Sequence, residues 1–364
     1  MIPFPLLITE KDMNTEKPKV GEKVRVGIVG LGRSGWNIHA RLLGNVLDYF
    51  QVVAVHDPNQ ERMAEAKAKF GAKPCHTFRD LLKDPAVELA IIATPNPLHP
   101  QNTIDALKAG KTVVCEKPMA PTVAEADAMI ATAKKTGSML TIFQNYRYQP
   151  AYQKVKEIID SGVLGRIVMI KFQWQSFSRR WDWQTLKKYN GGAINNTGPH
   201  AIDMALQLFG ECDKPEVFCK MEKVLALGDA EDHVKLVIAA PGHPTLDIEI
   251  TSACAYGQDP WLVMGSQGTL AGNNGNLRWK YFKPEEQTKR VLDDKPTPDR
   301  SYNADDLKFI EGSWTPEQYK GLGEDGYYLD VYRAIREKAP VAVTPESVRR
   351  VIWVLETCHK ISPV

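Results

Sequence analysis

Gly30-Leu31-Gly32-Arg33-Ser34-Gly35 follows the β-branched run Val24–Val29 and precedes Ile38, Leu42, Leu43 and Leu47, which share one helical face. Glycines at this spacing, between a strand and a helix, suit a pyrophosphate. Gly30 permits a tight turn, Gly32 lets the backbone approach the phosphates, and Gly35 allows close packing of helix on strand. The helix N-terminus supplies free N–H groups for the anion. Asp57 closes the next apolar run, 22 positions after Gly35. A carboxylate there accepts hydrogen bonds from adenosine ribose hydroxyls and repels a 2′-phosphate, which favours NAD over NADP. Two alternatives stay open: Asp57 before Pro58 can simply form a turn, and Arg33 in the loop could support a phosphate.

Positioning these groups requires alternating strands and helices. Apolar runs at 52–57, 89–93, 112–115 and 139–143 read as strands, separated by helical patterns at 59–70, 101–109 and 122–135. Such alternation predicts right-handed crossovers and a doubly wound parallel sheet, a Rossmann domain over 24–145. Ligands of such sheets sit beyond the C-terminal strand ends. Thr94, Asn96 and His99 follow one strand and Glu116-Lys117-Pro118 another, making them cofactor- or substrate-facing candidates. As bland alternatives, Asn96 could cap a helix, and Glu116 and Lys117 could be a solvated pair.

The rest of the chain, 146–364, changes character. β-rich segments appear at 166–177, 216–224, 233–240, 245–254 and 261–265, with helices expected at 151–161, 324–338 and 345–358. Residues 1–23 form an extension, read either as an arm on a neighbouring subunit or as disorder.

The 364 residues suffice for two ordinary domains. Lys and Arg number 46 against 44 Asp and Glu, without clustering, which argues against a nucleic-acid partner. No apolar stretch approaches the roughly 20 residues that span a bilayer. Met1–Thr9 contains Pro3 and Pro5 and no basic region, unlike a secretory signal. Six cysteines without Cys-x-x-Cys spacing suggest reduced thiols, so a cytoplasmic protein is expected. The histidines outside the motifs lack mutual metal-ligand spacing, and no metal site is expected.

The glycine loop, Asn96…His99, Glu116-Lys117-Pro118, Arg147 before Pro150 and the block Gly191-Gly192…His200-x-x-Asp203 together resemble the Gfo/Idh/MocA oxidoreductases, over residues 24 to 360. The resemblance implies a C-terminal α/β domain with a large, mostly antiparallel open sheet, which commonly forms the subunit interface of a homo-oligomer. It also implies that Lys117 and His200 flank the nicotinamide and the reacting carbinol. Histidine suits general base work because its ordinary pKa of about 6.5 lies near operating pH. A nearby ammonium would stabilise the developing alkoxide and keep the imidazole neutral.

Asn196 stands where this family often has aspartate. An amide can still orient a hydroxyl but supplies no negative charge, which puts inositol-type enzymes in doubt as the closest relatives. Trp174, Phe177, Trp181 and Trp183 precede the block, and aromatic faces there suit a sugar ring or flat aglycone; core or interface packing is the alternative. Arg147 could line the same cleft or pair with an acid. The expected activity is hydride transfer between nicotinamide and a secondary hydroxyl of a sugar, glycoside or polyol, with the glycoside 3-position preferred. The rivals are a hydrolase using retained NAD for oxidation, elimination and re-reduction, and a non-catalytic NAD-binding regulator.

Overall fold

The computed structural model describes residues 16–297 and 300–364. Most of the proposed N-terminal arm therefore lies outside the described residues. Six parallel strands form the first sheet: β1 (Val24–Val29), β2 (Phe50–His56), β3 (Lys73–Pro74), β4 (Leu89–Ile92), β5 (Thr112–Cys115) and β6 (Leu140–Ile142), in the order β3-β2-β1-β4-β5-β6. β1, β4 and β5 are apolar nearly throughout because helices cover both faces. The chain reverses direction across the sheet between β1 and β4, so the loops after these two strands frame the crevice.

The second sheet has eight strands: β7 (Ile167–Gln175), β8 (Glu216–Glu222), β9 (His233–Ala239), β10 (Thr245–Thr251), β11 (Trp261–Gly265), β12 (Gly268–Asn273), β13 (Asn276–Tyr281) and β14 (Ile310–Trp314). Their order is β14-β13-β12-β11-β7-β10-β9-β8, antiparallel except for β7 beside β10. Burial alternates along β9 and β10, the signature of a sheet with one covered face. The mostly antiparallel open sheet is as expected.

Two features were not foreseen. β12 to β14 extend the sheet to its β14 edge through a polar Asn-Asn-Gly-Asn turn and short strands that carry little apolar alternation. The helix after the glycine loop begins with a π-helical turn over Gly35–Ala40 before the α-helix Arg41–Asn45. That wider turn accommodates the buried His39, whose ring nitrogens are both engaged.

The C-terminal helices join the two sheets. Helix Gly326–Arg336 sets Tyr327, Tyr328 and Tyr332 against Phe50 and Phe143 of the first sheet, edge to face. Helix Pro345–Ile361 packs on the helices Val123–Thr136 and Gly198–Phe209 and on β8.

Candidate active site

The glycine loop has the shape its spacing implies. Gly30 sits at φ +90°, and a Cβ there would come within 2.4 Å of the Ala93 carbonyl. A Cβ on Gly35 would lie 1.9 Å from the Gly30 carbonyl oxygen. Gly32, by contrast, faces open space, with nothing within 4 Å of a Cβ position. The amides of Gly32, Arg33 and Ser34 have no hydrogen-bond partner among the described residues. An open cradle with unspent N–H donors fits a dinucleotide pyrophosphate, and these residues would hold it.

Asp57 serves the loop as well as the cofactor side. Its Oδ2 accepts the Leu31 N–H at 2.7 Å, its Oδ1 accepts the Asn59 N–H at 2.8 Å, and Arg62 lies 3.6 Å away. The turn-forming role is therefore real, yet the carboxylate still places its charge at the end of β2. Replacing Asp57 by asparagine keeps an acceptor for one amide and removes the charge. The kcat/KM ratio of NAD over NADP is expected to fall about tenfold or more, as expected when a single charge contact is lost. An unchanged ratio, measured with both cofactors, would remove Asp57 from cofactor selection.

Beyond β4, Thr94 lies at the crevice with its hydroxyl accepting from Asn102 Nδ2. Asn96 does not cap a helix. Its amide donates to the Asn190 carbonyl at 3.1 Å, tying this loop to the block that begins at Gly191. His99 corrects the sequence reading. It is buried, with Nδ1 and Nε2 each 2.8 Å from a backbone carbonyl, those of Pro118 and Thr94. With both ring nitrogens so engaged, it braces the loops after β4 and β5.

Glu116 follows β5 and is buried. Its carboxylate turns into the interior, where Oε1 lies 3.1 Å from His39 Nε2 and Oε2 accepts the Lys117 N–H at 3.0 Å. Those contacts hold its carboxyl down at about 2 despite burial. His39 Nδ1 meets Tyr328 Oη at 2.6 Å, completing a buried chain beneath Lys117. Sequence reading missed His39 and Tyr328, whose partners lie far along the chain.

Lys117 emerges beside a cis peptide to Pro118, and its ammonium donates to the Asn196 carbonyl at 2.8 Å. Burial, opposed by Glu116, lowers its pKa from the ordinary lysine value. His200 lies in the first turn of Gly198–Phe209 and is 8% exposed. Burial, and next the Lys117 ammonium, hold its pKa well below the ordinary value. Its Nδ1 has no hydrogen-bond partner among the described residues. Tyr146 stacks on the imidazole at 4.2 Å, and Gln144 donates to the neighbouring Pro199 carbonyl. Tyr146 was another residue missed, although it adjoins Arg147 after the last strand of the first sheet.

Arg147 is not in the cleft. Its guanidinium forms a two-point ion pair with Asp203 at 2.7 and 2.6 Å and also donates to Ser347. A cleft of about 160 Å³ opens next to Asn196 and Thr197, walled by Trp174, Arg180, Glu231 and Thr251. Trp181 is 78% exposed and lies outside that wall, so Trp174 takes the aromatic position expected of it.

A cradle for a dinucleotide, ending at a lysine and a neutral histidine beside a polar cleft, defines a nicotinamide-dependent oxidoreductase. Comparison with known proteins identifies the group. The chain belongs to the Gfo/Idh/MocA family: residues 24–144 match the oxidoreductase family with the NAD-binding Rossmann fold, and 152–271 match its C-terminal domain. A scyllo-inositol 2-dehydrogenase (NADP(+)) of Bacillus subtilis is 28% identical over 353 residues, covering 94% of each chain. An inositol 2-dehydrogenase of Salmonella typhimurium is 32% identical over 65% of this chain and 69% of its own. The structure of a levoglucosan dehydrogenase, in complex with NADH and levoglucosan, superimposes with a TM-score of 0.76 at 23% identity, covering 93% and 97%. No helix among the described residues is long and apolar enough to cross a membrane.

Proposed function

We propose that this enzyme transfers a hydride between the nicotinamide of NAD and a secondary hydroxyl of a sugar, glycoside or polyol. The observation that carries the reading is the convergence of Lys117 and His200. The Lys117 ammonium is anchored on the carbonyl of Asn196, four positions before His200, and adds to the burial that depresses the imidazole pKa. NAD supplies the hydride acceptor when bound. His200, neutral at physiological pH, takes the hydroxyl proton, and Lys117 stabilises the developing alkoxide. In the reverse direction His200 returns the proton.

The polar cleft beside Trp174 supports a hydroxylated ring, and two curated relatives carry inositol dehydrogenase names. The exposed Phe177, Trp181 and Trp183 support the finer reading, a glycoside oxidised at its 3-position while its aglycone rests on that aromatic strip. Incubation with NAD and a panel of inositols, sugars and aryl glycosides tests this. The expected result is loss of two hydrogens from one substrate with formation of NADH. Sugar release without net NADH would replace the reading with the oxidation–elimination–reduction hydrolase.

The pKa directions set the pH profile. Because His200 is depressed, its neutral form persists below pH 6.5, and kcat/KM for oxidation should not begin its acid decline there but lower. Because Lys117 is depressed, the alkaline decline should begin below pH 10.5. A profile with its acid limb at the ordinary histidine value would refute the depressed base. The reading also carries a homo-oligomer built on the uncovered face of the eight-stranded sheet. Light scattering at the monomer mass of 40.7 kDa would exclude it.

A further inference from the structure

Glu231 and Asp232 stand side by side before β9, yet their carboxylates are used differently. Asp232 accepts three backbone N–H groups, from Val224, Leu225 and Ala226, and so is spent on shaping its loop. Glu231 is 4% exposed and its Oε1 accepts only the Ile194 N–H, at 2.9 Å. Its Oε2 has no hydrogen-bond partner and no ion-pair cation among the described residues, although the side chain lines the cleft. Gly192 makes room for it, since a Cβ there would lie 2.2 to 2.5 Å from the carboxyl atoms. A carboxyl so deeply buried with half its acceptor capacity unspent is costly unless something in the cleft completes it.

The same cleft is walled by Asn196, whose carbonyl receives the Lys117 ammonium. The cleft wall thus includes both the residue that anchors Lys117 and the unpaired carboxyl oxygen of Glu231. We infer that Glu231 binds a substrate hydroxyl remote from the reacting carbinol, so that the cleft selects a neutral polyhydroxylated ring and disfavours a ring carrying a carboxylate there. This deepens the dehydrogenase reading and rests on it. Burial, only partly offset by the Ile194 amide and the charge of Lys187, pushes the Glu231 carboxyl up to about 7, in keeping with a group awaiting a hydrogen-bonding ligand. If Glu231 only held the turn at Gly192 through Ile194, a glutamine would serve as well.

Glu231→Gln keeps the size of the side chain and an oxygen for Ile194 while removing the charge. In steady-state assays with NAD and myo-inositol, scyllo-inositol, glucose and methyl glucoside, KM should rise about tenfold to a hundredfold, with kcat falling by a smaller factor. Glucuronate should be used relatively better by the variant, and Glu231→Asp should recover part of the affinity. A KM within twofold of wild type would overturn the inference. So would a joint loss of kcat, affinity and thermal stability that Glu231→Asp does not relieve, because that pattern marks a structural role. If wild type turns over no member of the panel, the dehydrogenase reading falls separately. Calorimetry of the same ligands on NADH-loaded enzyme then decides: neutral-ring binding weakened by Glu231→Gln supports the site, while unchanged or absent binding overturns it.

Discussion

Replacing Lys117 with methionine is expected to lower kcat about a hundredfold to a thousandfold, the usual cost of losing one preorganised charge at a developing oxyanion. Methionine keeps an unbranched apolar stem but removes the ammonium that we propose stabilises an alkoxide and that, after burial, depresses the His200 pKa. NADH affinity, read by fluorescence titration, should change little, because the open amides of Gly32, Arg33 and Ser34 lie on a different loop. His200→Asn should cost about a hundredfold to ten-thousandfold, as for removal of a general base. If the two groups act on one proton transfer, as proposed, the double variant should lose scarcely more than the worse single one. Single-turnover hydride transfer is the deciding measurement. Retention of more than a fifth of wild-type kcat by either variant, with normal NADH binding, would sink the assignment.

The second large effect concerns stability. Arg147 and Asp203 form a nearly fully buried pair, with both guanidinium contacts shorter than 2.8 Å. Removing only the cation, as in Arg147→Met, leaves the Asp203 carboxylate uncompensated in the interior and should destabilise the protein by about 3–5 kcal/mol. The paired replacement Arg147→Met with Asp203→Leu should recover much of that loss, because no buried charge remains. Thermal unfolding of the three variants measures both. If Arg147→Met instead raised KM with an unchanged melting temperature, Arg147 would return to the substrate cleft where the sequence reading had allowed it.

What could be read from the chain alone was local. The glycine loop declares itself because turn, cradle and helix contact involve residues within six positions, each demanding a missing side chain for a reason visible in the spacing. The strands of the first sheet declare themselves as apolar runs because both of their faces are covered. β12 to β14 were not legible, since short strands joined by polar turns near the sheet edge carry no such imprint. Lys117 and His200 became candidates through family resemblance, and Thr94 and Asn96 through the general position of strand ends.

Tertiary structure decided the partnerships. Arg147 and Asp203 are 56 residues apart, and His39 and Glu116 are 77 apart. No periodicity specifies which distant acid a buried cation will meet, so the sequence left Arg147 open between the cleft and an acid partner, and the structure pairs it with Asp203. The same holds for His99, whose ring is consumed by two carbonyls of separate loops. Glu231 and its neighbour Asp232 are both acidic side chains in one short loop, yet packing spends one on backbone amides and leaves the other facing the cleft. Side-chain chemistry and short-range spacing determine that a dinucleotide can be held. Which charges are paired, which are buried alone, and which face the substrate depends on contacts between elements brought together only when the two sheets and the C-terminal helices close on one another.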